Sequence, residues 1–311
     1  MPLNVLRNRW WDKRASERSK KKKFQVVEVK VQNPVVDDDW ENIEPVQQVW
    51  EDELDEDDIG KEVRKILGEL DDLYPEYNEE NMARESKVSV GADPEFFLKD
   101  RRNRNISAHG IVPGSKKEPH KFKDGGAVQL DGTAVEFNIS PAKTAKEFEE
   151  NIRSVLDEVR GIVPERYSFN FSPSVHYSKR YFDKNIPEEC KELGCDPDFD
   201  AYAYGAPNER PDNRTTMRTG AGHLHVGWDA SASLDPTNRS HVLDCCILAR
   251  NLDAVFSMLE RNWDDDTERR KMYGKLGAFR PKSYGCEYRS LSNAWVRYPK
   301  LWPFLFAICS Y

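Results

Sequence analysis

The chain has 311 residues, 33% of them charged, with a net charge of −8, so nucleic acid is not its expected partner. That length exceeds one ordinary domain but leaves no room for two large ones. No apolar run approaches the roughly 20 residues that span a bilayer, and the opening MPLNVLRNRWWDKR is basic without the apolar core or cleavage site of a secretory signal.

Residues 1–87 differ in kind from the rest. A basic opening ends in Lys20-Lys21-Lys22-Lys23, Phe24 to Val31 alternates weakly like a short strand, and an acidic tract runs from Asp37-Asp38-Asp39 to Asp55-Glu56-Asp57-Asp58. Such blocks bury too little apolar surface to offset chain entropy, which predicts a largely disordered arm. Val63, Ile66, Leu67, Leu70 and Tyr74 recur at helical spacing before Pro75, so one amphipathic helix is expected near 61–74. The folded body, 88–311, starts with a strand over Val88 to Leu98. Further strands are read at Ala134 to Ile139, Tyr167 to Val175, His223 to Trp228 and Glu287 to Leu291. Phe148, Ile152, Val155, Leu156 and Val159 mark a helix opened by Pro141 and Thr144, and Ser240 to Glu260 a longer one. Residues 176–221 read as mostly irregular, and an apolar tail runs from Ala294 to Tyr311. Strands outnumber helices without βαβ alternation, which points to an α+β fold: a mostly antiparallel sheet with helices packed on one side. Six cysteines (Cys190, Cys195, Cys245, Cys246, Cys286, Cys309) form no CxxC pair, so a reducing, cytoplasmic compartment without disulfides is expected.

Four short segments share a strand-like run with a nearby glycine. They are Gly91-Ala-Asp93-Pro-Glu95-Phe, Asp131-Gly132-Thr-Ala-Val-Glu136-Phe-Asn138, Gly222-His223-Leu-His225-Val-Gly227 and Gly285-Cys-Glu287-Tyr-Arg289. Glu95 and Glu136 lie among apolar neighbours, where a carboxylate costs several kcal/mol unless it is paired or metal-bound. Each alone reads equally well as a solvent-facing residue of an amphipathic strand; with Glu287 as a third, that reading weakens. His223 and His225, two apart, share a strand face; such pairs also occur as satisfied core histidines. Glu287 and Arg289 share a face too. They fit either a surface ion pair of little worth or a metal ligand beside a phosphate clamp. Three glutamates and a histidine on strands of one sheet are expected to line a channel holding two or more divalent cations, Mg²⁺ or Mn²⁺ in preference to zinc.

The series GADPEF, DGTAVEFN, GAGHLHVGW and YGCEYRSL, in that order over residues 88–311, resembles the glutamate–cysteine ligase and glutamine synthetase superfamily. It is most similar to the phage-associated branch, the type-2 carboxylate–amine ligases (amidoligases), and Gly194 to Gly205 also resembles that branch. The resemblance implies a glutamine-synthetase-like sheet lining an active-site channel. It implies metal ligands at Glu95, Glu136, His223 and Glu287, with His223 rather than His225 on the metal only by analogy of motif. It implies nucleotide contacts from His225, Arg289 and either Lys275 or Arg280, with Arg289 and Glu287 closest to the chemistry. The implied reaction uses ATP and Mg²⁺ (or Mn²⁺) to join a small-molecule or peptide carboxylate to an amine through an acyl phosphate.

Two other classes compete. A non-catalytic phage structural or binding protein that retains the ligase fold would use the charged arm, whose Lys20–Lys23 run is the one place for nucleic acid. The intact Glu95, Glu136, His223, Glu287 and Arg289 argue against it. A metal-dependent hydrolase built on the HxH pair lacks the further clustered His or Asp such sites use. No membrane association is expected, an oligomer is left open, and a phage-encoded chain would act in the host cytoplasm.

Overall fold

Val88 to Leu98 reads as one strand, yet the chain makes two. In the computed structural model, which describes residues 82–310 apart from 124, 193–197, 210–214 and 232, β1 (Ser89–Ala92) and β2 (Glu95–Asp100) part at Asp93-Pro94. Proline has no N–H to give a ladder, and the chain uses the break to pass from one sheet to another. The Lys20–Lys23 run and the helix expected near 61–74 lie outside the described residues.

After β2 come β3 (Asn105–Ile106), β4 (His120–Lys121), β5 (Ala127–Asp131), β6 (Ala134–Asn138) and helix α1 (Ala145–Ile162). Thr144 caps α1 by accepting from Glu147 N at 3.0 Å, and Phe148, Ile152, Val155, Leu156 and Val159 form its buried stripe, as the periodicity predicts. The expected strand over Tyr167 to Val175 is likewise split, at Pro173, into β7 (Tyr167–Asn170) and β8 (Ser174–His176). Within the stretch read as irregular stand α2 (Lys179–Asn185), β9 (Phe199–Asp200), β10 (Ala206–Pro207) and β11 (Met217–Thr219). Next come β12 (Leu224–Gly227), α3 (Arg239–Leu259) and α4 (Thr267–Met272). The chain then adds β13 (Ala278–Lys282), β14 (Gly285–Tyr288) and α5 (Trp302–Ser310).

The first sheet has six strands in the order β1-β12-β14-β13-β9-β10; a second runs β3-β2-β6-β5-β4 with β7 also on β2; β8 and β11 form a small pair. Every strand pairing between these elements is antiparallel, so the fold class is α+β. Alternation divides the first sheet cleanly. Val90, Ala92, Leu224, Val226, Phe279, Cys286 and Tyr288 are buried on one face in a core shared with Cys245, Ala249, Leu252 and Phe256 of α3. Helix α3 packs on β13 and β14, while α5 packs on β1 and α1. The other face carries the polar residues. The five described cysteines are free and buried. Among the described residues no helix is long and apolar enough to cross a membrane.

Candidate active site

On the polar face of the first sheet, register alone builds a row. Gly91, His225, Glu287 and Arg280 stand opposite one another across β1, β12, β14 and β13. His223 and Arg289, two residues from His225 and Glu287, continue the same face just beyond the strand ends. Gly222 makes room for that turn, since a Cβ there would lie 2.1 Å from the Ser292 carbonyl oxygen. In the second sheet a matching row forms, with Glu95 opposite Glu136 and Glu136 opposite Gln129.

The set Glu95, Glu136, His223 and Glu287, expected on one sheet lining a channel for two or more cations, is divided between two sheets and two triads. Asp93, His223 and Glu287 bring ligand atoms within 4.8 Å of one another, and so do Glu95, Asp131 and Glu136. The reason is the break at Pro94: it sends Glu95 into the second sheet and leaves Asp93 at the crossing, beside the histidines. Asp93 and Asp131 are therefore the missing members, visible in the GADPEF and DGTAVEFN motifs but not singled out there.

In the first triad His223 Nδ1 lies 3.3 Å from Asp93 Oδ1 and 3.5 Å from Glu287 Oε1, and His225 Nε2 lies 3.0 Å from the same Asp93 oxygen. Asp93 Oδ1 is buried and has no hydrogen-bond partner in spite of these neighbours. Ring nitrogens and carboxylate oxygens thus converge on a point without bonding one another, a donor set that fits a cation. Burial, then Arg289, holds His223 down to about 3, so its ring is neutral and has a lone pair to offer. Burial opposes ionisation of Asp93, yet His225 and His223 hold its carboxyl well below the usual range. Glu287, 1% exposed, is ringed by cations: Lys282 Nζ at 2.7 Å, Arg280 at 3.5 Å, and the guanidinium of Arg289 in direct contact. Arg280, Lys282 and Arg289 thus bring three cationic groups to one point, an arrangement that suits a polyanion such as a phosphate chain.

The second triad is made of carboxylates alone. Glu136 Oε2 accepts from Gln129 at 2.8 Å and Glu95 Oε2 from Ala221 N at 3.0 Å; the nearby cation is Lys116, 2.8 Å from Asp131. Burial and Asp131 push the Glu95 carboxyl up to about 8. Burial, Asp93, Asp131 and Glu95 push Glu136 well above the carboxylate range. Like charges in cross-strand register destabilise a sheet, and a divalent cation would reverse the sign.

That crowding has a measurable consequence. A carboxyl whose folded-state pKa lies above its unfolded value loses stability as pH rises between the two. Below pH 6.5 the neutral His223 works in the other direction, so the clean window is from pH 6.5 to about pH 8. The metal-free unfolding midpoint should fall across that interval, Mg²⁺ should remove the slope, and Glu136→Gln should flatten it without Mg²⁺. A wild-type profile that is already flat and indifferent to Mg²⁺ would show that the carboxylates are not crowded.

The nucleotide-contact expectations divide as well. Arg280 and Arg289 are in the cluster, but Lys275 is exposed in the loop before β13, and the lysine in the cluster is Lys282. Burial and Arg280 lower the pKa of its ammonium. Two more residues that sequence reasoning missed touch Arg289: Asp198, whose Oδ2 is 3.4 Å from Nε, and Tyr273, whose hydroxyl accepts from the guanidinium and lies 3.1 Å from His223 Nε2. Asp198 was within reach of the sequence through the Gly194 to Gly205 motif; nothing in the sequence marked Tyr273.

No curated protein matches the sequence. Among solved structures, a bifunctional glutathione synthetase from Pasteurella multocida is similar at 10% identity and a TM-score of 0.30, over 57% of this chain and 22% of that one. Residues 218–308 match the family described as phage phiEco32-like COOH.NH2 ligase-type 2. The resemblance to the phage-type carboxylate–amine ligases is thereby shown for the stretch that carries His223, His225, Glu287 and Arg289.

Proposed function

We propose that the protein is an ATP-dependent carboxylate–amine ligase that works with Mg²⁺ or Mn²⁺ and forms an acyl phosphate. The observation that carries this reading is the pairing of two acidic triads, one on each sheet, with the three cationic groups gathered around Glu287. Asp93, His223 and Glu287 would hold one cation, and Glu95, Asp131 and Glu136 another. A bound cation supplies charge neutralisation for the phosphate oxygens of ATP.

The chain's own residues supply orientation and charge. Arg280, Lys282 and Arg289 direct donors at the phosphate chain from β13 and the end of β14. An oxygen of the substrate carboxylate bonds to the γ-phosphorus while the β–γ bridging oxygen leaves with ADP, and Arg289 stabilises the charge on the phosphoryl group in transit. The amine nitrogen then attacks the acyl carbon, the carbon–oxygen bond to phosphate breaks, and the nitrogen loses a proton to give the amide. His225, with Nδ1 2.5 Å from the Tyr284 hydroxyl, is held facing the same space and would meet a phosphate oxygen. The proposed use of ATP supports a cytoplasmic location, with small molecules or peptides as the acid and amine.

The test is ADP release from Mg·ATP across a panel of carboxylates and amines, with the amide identified by the mass lost as water. Glu287→Gln should weaken Mg·ATP binding on the order of 100-fold, the scale set by disturbing a metal site, and abolish ADP release. Mg·ATP binding without turnover on any pair would favour the non-catalytic binding protein instead. Failure of the wild type to bind Mg·ATP would exclude the ligase.

A further inference from the structure

Tyr273 follows α4, and its backbone N donates to Arg269 O at 2.7 Å. Its ring lies between two guanidinium groups, 5.8 Å from Arg269 and 5.4 Å from Arg289. The hydroxyl is thereby aimed at the point where Arg289 and His223 meet. Arg289 donates to its oxygen, and His223 Nε2 is 3.1 Å from it. The opposite nitrogen of that imidazole, Nδ1, faces Asp93 and Glu287 at 3.3 and 3.5 Å.

A neutral imidazole has one N–H and one lone pair, whereas a phenol oxygen has one hydrogen and two lone pairs. Arg289 fills one of those lone pairs. The phenol hydrogen and the second lone pair remain, and they suit the two tautomers of His223 in turn. With the ring proton on Nδ1, pointing at the carboxylates, the tyrosine hydrogen donates to Nε2. With a cation at Nδ1, the single ring proton sits on Nε2 and donates to the tyrosine oxygen. Metal-ligating histidines require such a partner on their other nitrogen to fix ring orientation. Burial pushes the Tyr273 phenol pKa up, so it keeps its hydrogen throughout.

We infer that Tyr273 is a positioning residue, whose hydroxyl assigns Nδ1 of His223 to the cation and ties the guanidinium of Arg289 to the same point. The inference rests on the proposed cation at the first triad. It adds a second link between the cation site and the phosphate clamp, beside the direct contact of Arg289 with Glu287, so filling the site fixes the clamp.

The experiment uses the full chain. Ring ¹⁵N spectra, with the His223 signals identified by their loss in His223→Gln, report which nitrogen carries the proton. Metal-free wild type should show Nε2 as the acceptor, and Mg²⁺ should move the proton to Nε2. In Tyr273→Phe the metal-free ring should populate both tautomers, and the Kd for Mn²⁺ alone, read by electron paramagnetic resonance, should rise about 10- to 100-fold. An unfolding midpoint near that of the wild type would accompany these changes. An unchanged Mn²⁺ Kd and tautomer in Tyr273→Phe, while the wild type binds Mn²⁺, overturns the inference and leaves the ligase reading standing. A wild type that binds no Mn²⁺ overturns the cation site itself, and the Nδ1 assignment with it. Should the variant fail to fold, the wild-type spectrum still decides: a proton already on Nε2 without metal overturns the assignment.

Discussion

Replacing Arg289 by lysine should lower ADP release by a factor on the order of 100 to 1,000, the loss expected when one preorganised charge stabiliser is removed. The guanidinium is held by Glu287, by the Tyr273 hydroxyl and by Asp198 at 3.4 Å, and its backbone N donates to Ala278 O at 2.9 Å. Those partners fix the planar fork, whose donors can then serve two phosphate oxygens at once. A lysine keeps the charge but brings a single ammonium on a shorter reach, and it cannot satisfy Glu287, Tyr273 and a phosphoryl group together. Nucleotide affinity should change far less, because Arg280 and Lys282 remain beside Glu287. Turnover and nucleotide affinity are measured on the same variant. Equal losses in both would make Arg289 a ground-state anchor, and unchanged turnover would remove it from the reaction.

The largest loss of stability is expected at Arg269, which never meets substrate. It is 0% exposed and donates to three backbone carbonyls: Gly220 O at 3.1 Å, Ser290 O at 3.1 Å and Leu291 O at 2.7 Å. Those carbonyls belong to the segments that lead into His223 and out of Arg289, so this one side chain clamps both approaches to the site. Its space is reserved by Gly274, at φ 71° in the left-handed region, where a Cβ would stand 2.3 Å from the guanidinium. Arg269→Met keeps most of the volume and abandons three buried acceptors. At about 1 to 1.5 kcal/mol for each, the cost is about 3 to 5 kcal/mol, read as the difference in unfolding free energy in urea. A loss below about 1 kcal/mol would mean that water reaches those carbonyls in the variant.

How much of this was legible depended on what each pattern encodes. Helix α1 was readable because its apolar residues repeat at 3.6 and Thr144 supplies the cap, both local properties. The pairing of Glu287 with Arg289 followed from parity along one strand. Parity says nothing about which sheet a strand joins, so Glu95 and His223 were expected on one sheet although Pro94 separates their sheets. Strand β13 escaped notice because Ala278–Lys282 contains Pro281, which ordinarily argues against a ladder, and Lys282 escaped with it. Tyr273 was invisible because it reaches the site from a loop, where no periodicity points.

The row of Gly91, His225, Glu287 and Arg280 also bears on how faithfully the chain folds. A slip of β14 by one residue would put Cys286 or Tyr288 in the place of Glu287 and carry the carboxylate into the apolar layer against α3. Mispairing would therefore bury an unpaired charge and expose a core tyrosine in a single move. The chemistry-bearing residues thus double as a proofreading device for strand pairing. In refolded material, the fraction that binds Mn²⁺ should equal the fraction in correct register, so metal titration counts properly folded molecules.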